Sequence, residues 1–301
     1  MLHVGAIVEP CASRYRAVFD VVEYLPGAVL PAKLGEIRAI VAAGPVTGDL
    51  IAAMPGLEVI AAFGAGVDQI DLEAARGRGV KVANAPDPTV GCVADMAMAL
   101  LLAVARGIVP GDALVRGGGW GLPLVPRLHH RRMGILGLGR IGRAIARRAE
   151  GFELVVSYHN RSSIPGIPYR FVDSVRGLAE SCDILVVACP GGEGTRHLVD
   201  AAVLRALGPA GILVNIARGS IVDEEALIAA LESGSIAGAG LDVFAAEPAV
   251  PPRLRGCRNT VLMPHRGGGT IETWAETADS TIANIVAVLA GRTPPGLLAG
   301  F

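Results

Sequence analysis

Short apolar runs at residues 4–8, 21–24, 38–42, 58–62 and 80–83 alternate with more polar stretches, some with helical spacing ending at glycine, as at 71–77. Runs of this length flanked by such stretches read as buried strands of a parallel, doubly wound sheet. Pro86 and Pro88 break the pattern before a long apolar helix over 93–106, and the Gly- and Pro-rich stretch 116–132 reads as loop. From Met133 the alternation restarts, with strands at 133–136, 153–157, 183–188, 211–216, 236–241 and 260–263. Helices are expected at 140–149, 174–181, 200–207 and 223–232, and a last one over about 270–290 carries Ile282, Ile285, Val286 and Leu289 on one face. The fold class is therefore α/β, with two doubly wound parallel sheets.

One strand-to-helix junction organises the second half. The apolar run ending at Leu136 feeds Gly137-Leu138-Gly139-Arg140-Ile141-Gly142, and Ile141, Ile145 and Ala149 then recur on one helical face. In a Gly-x-Gly-x-x-Gly turn the first glycine permits the tight bend. The second lets backbone approach a pyrophosphate, and the third lets helix pack against strand. The helix N-terminus offers N–H groups and a positive dipole end to phosphates. Strand–turn–helix is the context that makes this motif a dinucleotide site rather than a structural turn.

Composition narrows the partners. The chain has 301 residues, enough for two cores, and a net charge of −1, which gives no reason to expect nucleic acid or an anionic membrane. Mean hydropathy is +0.49. The most apolar run, 96–105, lies between Asp95 and Arg106 and is too short to span a bilayer, so no membrane partner is expected. Glu9 and Pro10 interrupt the N-terminal apolar run before it reaches signal-peptide length. Cys11, Cys92, Cys182, Cys189 and Cys257 are odd in number and lack CxxC spacing, which points to reduced thiols, a cytoplasmic location and no zinc. His129-His130 lacks a third ligand and reads as solvated loop; no metal site is expected.

Ligands of doubly wound sheets sit at the carboxyl ends of strands, and three charged residues fall there. Arg218 follows the strand ending near Ile216, in Asn215-Ile216-Ala217-Arg218-Gly219. Its guanidinium suits a carboxylate held by two hydrogen bonds, or a surface ion pair with Asp223 or Glu224. Glu247-Pro248 comes just beyond Leu241-Asp242-Val243-Phe244, and His265 ends the run Val261-Leu262-Met263-Pro264. A histidine held by a carboxylate keeps a proton near neutral pH and serves as general acid towards a carbonyl.

At these residues the chain resembles the D-isomer-specific 2-hydroxyacid dehydrogenase family. The matching text includes Gly64-Ala65-Gly66-Val67-Asp68-Gln69-Ile70-Asp71, Val93-Ala94-Asp95, the glycine motif, Asn215 to Gly219, Ala239-Gly240-Leu241-Asp242-Val243, Glu247-Pro248 and Pro264-His265, over about residues 50–293. Asn84-x-Pro86-Asp87 and Tyr158-x-x-Arg161 make it most similar to the glyoxylate and hydroxypyruvate reductases of that family. The resemblance implies a flavodoxin-like substrate domain from 1–92 and 270–301 and a Rossmann nucleotide domain over 93–269. It implies NAD(P)H-dependent reduction of a small 2-oxo acid. His265 would protonate the keto oxygen, Glu247 would hold His265, Arg218 would clamp the acid, and the N–H groups of Ala65 and Gly66 would bind its carboxylate. Coenzyme contacts are implied at Gly137, Gly139, Arg140, Ile141, Asn160, Arg161, Ser162, Pro190, Thr195, Ile216, Asp242 and Gly267. A homodimer is implied as well, and the apolarity of 93–106 on more than one face agrees with a subunit interface.

Two features depart from the family pattern or bear on specificity. The residues after His265 are Arg266-Gly267-Gly268 rather than a small residue and Gly-Ser, so Arg266 either meets the far end of a larger acidic substrate or reaches solvent or a partner. Trp120 lies in the loop that family dimers exchange, and either approaches the neighbour's cleft or caps its own core. Coenzyme choice is read from the end of the second strand of the nucleotide half. An NAD site usually carries Asp or Glu about 20 residues past the glycines. That window here is Ser157-Tyr158-His159-Asn160-Arg161-Ser162-Ser163, with no acid. Arg161 suits a 2′-phosphate, so NADP(H) is preferred and NAD(H) is possible. A phosphoglycerate-type dehydrogenase is the rival enzyme reading, and a non-enzymatic dinucleotide-sensing regulator is the rival outside enzymes.

Overall fold

The computed structural model describes all residues, 1–301, and the chain divides into two compact units, Met1–Thr89 with Gly268–Phe301, and Val90–Gly267. In chain order the first unit opens with β1 (Leu2–Val4), α1 (Cys11–Arg16), β2 (Val22–Tyr24), β3 (Ala39–Ala42), α2 (Gly48–Ala52), β4 (Val59–Ala62), α3 (Leu72–Gly77) and β5 (Lys81–Ala83). The second unit runs α4 (Val90–Ala105), α5 (Ile108–Arg116), β6 (Arg132–Leu136), α6 (Arg140–Gly151), β7 (Val155–His159), β8 (Arg170–Phe171), α7 (Val175–Glu180) and β9 (Ile184–Val187). It continues with α8 (Ala201–Leu207), β10 (Ile212–Asn215), α9 (Glu224–Glu232), β11 (Gly238–Leu241), α10 (Pro252–Gly256) and β12 (Thr260–Leu262). The chain then returns to the first unit as α11 (Ile271–Leu289).

Every strand pair is parallel. The first sheet has the order β2-β1-β3-β4-β5, the flavodoxin-like arrangement. The second has the order β12-β11-β10-β9-β6-β7-β8. Its order reverses between β6 and β9, and that switch point is where such sheets bind ligands. Parallel strands are covered on both faces, and β3, β4, β9, β10 and β11 are buried at every position.

Element bounds depart from the apolar pattern for local reasons. The strand expected at 4–8 lies two residues earlier. Gly5, at φ 110°, turns the chain out of the sheet, and polar His3 is buried inside β1 with Nδ1 on the Gly5 carbonyl. A helix is expected over 93–106 but begins at Val90, and its buried face (Ala94, Ala97, Met98, Leu101) joins the core of Met133, Ile135 and Val214. The pattern gave no element at α5, which buries none of its residues. The two-residue edge strand β8 is too short to leave an apolar period. Residues 117–131 form no strand or helix, as expected of the Gly- and Pro-rich stretch. No single helix is long and apolar enough to cross a membrane.

Candidate active site

The glycine turn leaves β6 at the switch point. Gly137 takes φ 101°, and a Cβ there would strike the backbone of Cys189, while a Cβ on Gly142 would overlap the Gly137 carbonyl. Those two glycines serve the protein's own packing. Gly139 differs, because a Cβ there would meet no protein atom within 4 Å. Glycine at 139 thus leaves open space over the start of α6, whose N-terminus has no side-chain cap. An uncapped helix start beside such space is the cradle a pyrophosphate needs.

The end of β7 is tied to this turn. Gly137 N–H donates to the His159 carbonyl (2.9 Å), and Leu138 N–H donates to Asn160 Oδ1 (2.7 Å). Asn160 therefore shapes the turn with its side chain. Tyr158, buried and in ring contact with Phe171, accepts the Ile164 N–H at its hydroxyl (2.8 Å) and so pins the loop that carries Arg161, Ser162 and Ser163. Those three residues are exposed. Past β9, Thr195 Oγ1 donates to the carbonyls of Pro190 and Gly192, closing the loop at the next strand end. The Ile216 side chain belongs to the core, and Ile141 is half-buried against it. Arg140 opens α6.

The charged residues come from three neighbouring strand ends. After β10, buried Asn215 donates from Nδ2 to the Arg218 carbonyl (2.9 Å) and accepts the Ala217 N–H at Oδ1 (3.1 Å). It sets the bend that presents Arg218, a role its sequence position does not announce. Arg218 Nη1 donates to the Ala217 carbonyl. The two acids considered as ion-pair partners are engaged with backbone: Asp223 caps α9 by accepting the Ala226 N–H, and Glu224 accepts the Ala245 N–H.

After β11, buried Asp242 accepts the N–H groups of Arg266 and Gly267, each at 2.7 Å, and its carbonyl accepts the His265 N–H at 2.8 Å. Asp242 thereby folds the turn after β12 in which His265 stands at φ 52°. Burial pushes the Asp242 carboxyl upward, against the two N–H bonds that favour its charge. His265 Nδ1 meets Glu247 Oε2 at 2.7 Å, and Glu247 Oε1 accepts the Phe244 N–H at 3.0 Å. The Glu247 hydrogen bond holds the His265 pKa above its ordinary value, in spite of burial. Burial alone would raise Glu247, but the bonds from His265 and Phe244 outweigh it and hold the carboxyl below its ordinary value. With Nδ1 committed to Glu247, Nε2 is the nitrogen that can hand over a proton.

Ala65 and Gly66 lie in the other unit, in the turn after β4, and both are exposed. Trp120 is 91% exposed within its own chain and so does not cap its own core.

The family model described as D-isomer specific 2-hydroxyacid dehydrogenase, NAD binding domain, matches residues 98–267. A hydroxyphenylpyruvate reductase from Plectranthus scutellarioides is 46% identical over 85% of this chain and 83% of its own length. A glyoxylate/hydroxypyruvate reductase A from Arabidopsis thaliana is 44% identical over 85% of this chain and 84% of its own. An NADPH-dependent glyoxylate/hydroxypyruvate reductase from Sinorhizobium meliloti, solved with NADP and malonate, superposes with a TM-score of 0.93 at 37% identity, covering 99% of this chain and 96% of that one. With the strand order, the glycine cradle and the His265–Glu247 pair, these matches make the chain a member of the D-isomer-specific 2-hydroxyacid dehydrogenase family of NAD(P)-dependent oxidoreductases.

Proposed function

We propose that this protein reduces a small 2-oxo acid of the glyoxylate or hydroxypyruvate type to the D-2-hydroxy acid, with NADPH as preferred coenzyme. The observation that carries the reading is the His265–Glu247 pair, an imidazole held at Nδ1 and raised in pKa, at a strand end of the sheet whose switch point bears the open glycine turn. The bound coenzyme supplies hydride. His265 gives the keto oxygen a proton from Nε2, Glu247 steadies the resulting charge change, and Arg218 with the Ala65 and Gly66 N–H groups binds the carboxylate. The coenzyme is held by the turn 137–142, with contacts at Arg140, Ile141, Asn160, Pro190, Thr195, Ile216, Asp242 and Gly267. The unit of Met1–Thr89 and Gly268–Phe301 is the substrate-binding domain, and Val90–Gly267 the coenzyme-binding domain.

NADPH preference rests on the exposed Arg161, Ser162 and Ser163 in a strand-end loop without a carboxylate. The enzyme is further proposed to be a cytoplasmic homodimer. Glyoxylate, hydroxypyruvate, hydroxyphenylpyruvate and 2-ketogluconate, each assayed with both coenzymes, test the reading. Turnover of at least one small 2-oxo acid with higher kcat/KM for NADPH is expected, and Arg161→Ala should remove most of that preference, by about tenfold for a lost charge-assisted contact. No turnover of any 2-oxo acid overturns the activity; equal kcat/KM for the two coenzymes overturns the preference.

A further inference from the structure

The inference concerns how the carboxylate-binding amides are aimed, and it rests on the proposed role of Ala65 and Gly66. Neither N–H donates to an acceptor within the protein. Both peptides of the turn are trans. In a planar trans peptide the carbonyl and the next residue's N–H point in opposite directions, so whatever grips the carbonyl aims the N–H. Ala85 N–H donates to the Gly64 carbonyl at 2.8 Å, which aims the Ala65 N–H. Asn84 Nδ2 donates to the Ala65 carbonyl at 2.9 Å, which aims the Gly66 N–H. Two consecutive residues at the end of β5 thus orient two consecutive amides at the end of β4.

Asn84 is itself braced from behind. Its N–H donates to the Gly296 carbonyl (2.9 Å), and its carbonyl accepts Nδ2 of Asn284 (3.1 Å). Asn284, 2% exposed on α11, also accepts the Gly296 N–H at Oδ1 (2.8 Å), so both ends of its amide are used in one ring of contacts. The segment beyond continues against β5: Leu298 N–H donates to the Val82 carbonyl, and Leu297 bridges Ala83. A buried amide with both ends paired is rigid, and breaking it leaves an unpaired buried polar group.

We propose that Asn84 is a positioning residue of this enzyme: its side chain sets the peptide plane whose N–H binds the substrate carboxylate, and Asn284 with Gly296 holds Asn84 in place. Asn84→Asp keeps the size and the backbone bonds but replaces the donor with an acceptor facing the Ala65 carbonyl. KM for the 2-oxo acid and Ki for oxamate, an unreactive analogue with the same carboxylate, should each rise about tenfold. The kcat should stay within about twofold, and KM for NADPH should be unchanged. Asn84→Ala, which deletes the donor without adding charge, should show the same split in smaller measure and guards against misfolding of the first variant. Unchanged KM and Ki, or a parallel loss in kcat and in NADPH binding, overturns the proposal. A wild-type enzyme that reduces 2-oxo acids and binds oxamate while Asn84→Asp matches it refutes the role of Asn84 alone. A wild-type enzyme that does neither refutes the carboxylate role of residues 65–66, and this inference with it.

Discussion

A group that protonates a carbonyl must hold its proton at working pH and give up only that one. His265 meets both demands through a single contact, because Glu247 at Nδ1 raises its pKa and leaves Nε2 as the acid. The sign of the pH dependence follows. The reductive kcat/KM is sustained below the raised pKa of His265 and declines as pH climbs through it, while oxidation of the hydroxy acid, which needs neutral imidazole, gains over the same range. In Glu247→Gln the main cause of the raised pKa is gone, so the alkaline limb of the reductive profile should shift to lower pH; a limb that stays put means another group titrates. In His265→Asn kcat should fall by about 10²–10⁴-fold with coenzyme binding nearly intact, the usual contribution of a placed proton donor. Stability is linked to the same pair: the His265 contribution is present below its unfolded pKa and lost as pH rises through the folded value. That of Glu247 is present above its unfolded pKa and lost as pH falls. The positions of Arg218, Glu247 and His265 are legible in sequence because each ends an apolar run. Asn215, Asn84 and Asn284 are not, since an amide that ties turns together has no period, and Asn84 and Asn284 lie on elements far apart in the chain.

Strands and helices were legible where burial imposes a period, and their ends were not where a single backbone choice decides. The buried sheet strands appear as apolar runs, yet β1 stops at Val4 because Gly5 turns the chain, and hydrophobic Ile7 and Val8 lie beyond it. α6 was readable from both its glycines and its face, and Ile145, Ala146 and Ala149 are buried as that face requires. The glycine motif also yields a prediction for this element. Gly142 admits no Cβ without displacing the Gly137 carbonyl, so Gly142→Ala must push α6 away from the turn. Overpacking of this kind costs about 1–3 kcal/mol, which for a unit of this size lowers Tm by several degrees. NADPH affinity should fall as well, since the helix start that faces the pyrophosphate moves. Gly139→Ala contrasts with it: no protein atom opposes the new methyl, so Tm should hold while NADPH binding weakens. Thermal melts with and without NADPH separate the two, and equal Tm losses in both variants would mean that Gly139 serves packing, not ligand.

At the scale of the molecule, the sequence shows the α/β class and the restart of the alternation at Met133, but not why so much apolar surface stays uncovered in one chain. α5 and the segment after it expose Ile108, Val109, Val115, Trp120, Leu122, Leu124 and Val125, with Leu124 fully exposed. α4, just before them, leaves Met96 and Leu102 only partly covered while its other face packs in the core. A contiguous stretch of this kind is more than an isolated soluble chain ordinarily leaves in water, and it marks an interface. A stable homodimer buries about 1,600 Å² or more, with aromatic and aliphatic anchors at its centre, and Trp120 and Leu124 are suited to that part. Light scattering at micromolar concentration should give twice the chain mass of 30.8 kDa. Leu124→Asp, which puts a charge in the contact without touching any buried residue of the chain, should shift the mass towards that of one chain while the far-ultraviolet circular dichroism is kept. A wild-type mass of one chain overturns the dimer, and a Leu124→Asp protein that remains fully dimeric places the interface on another surface.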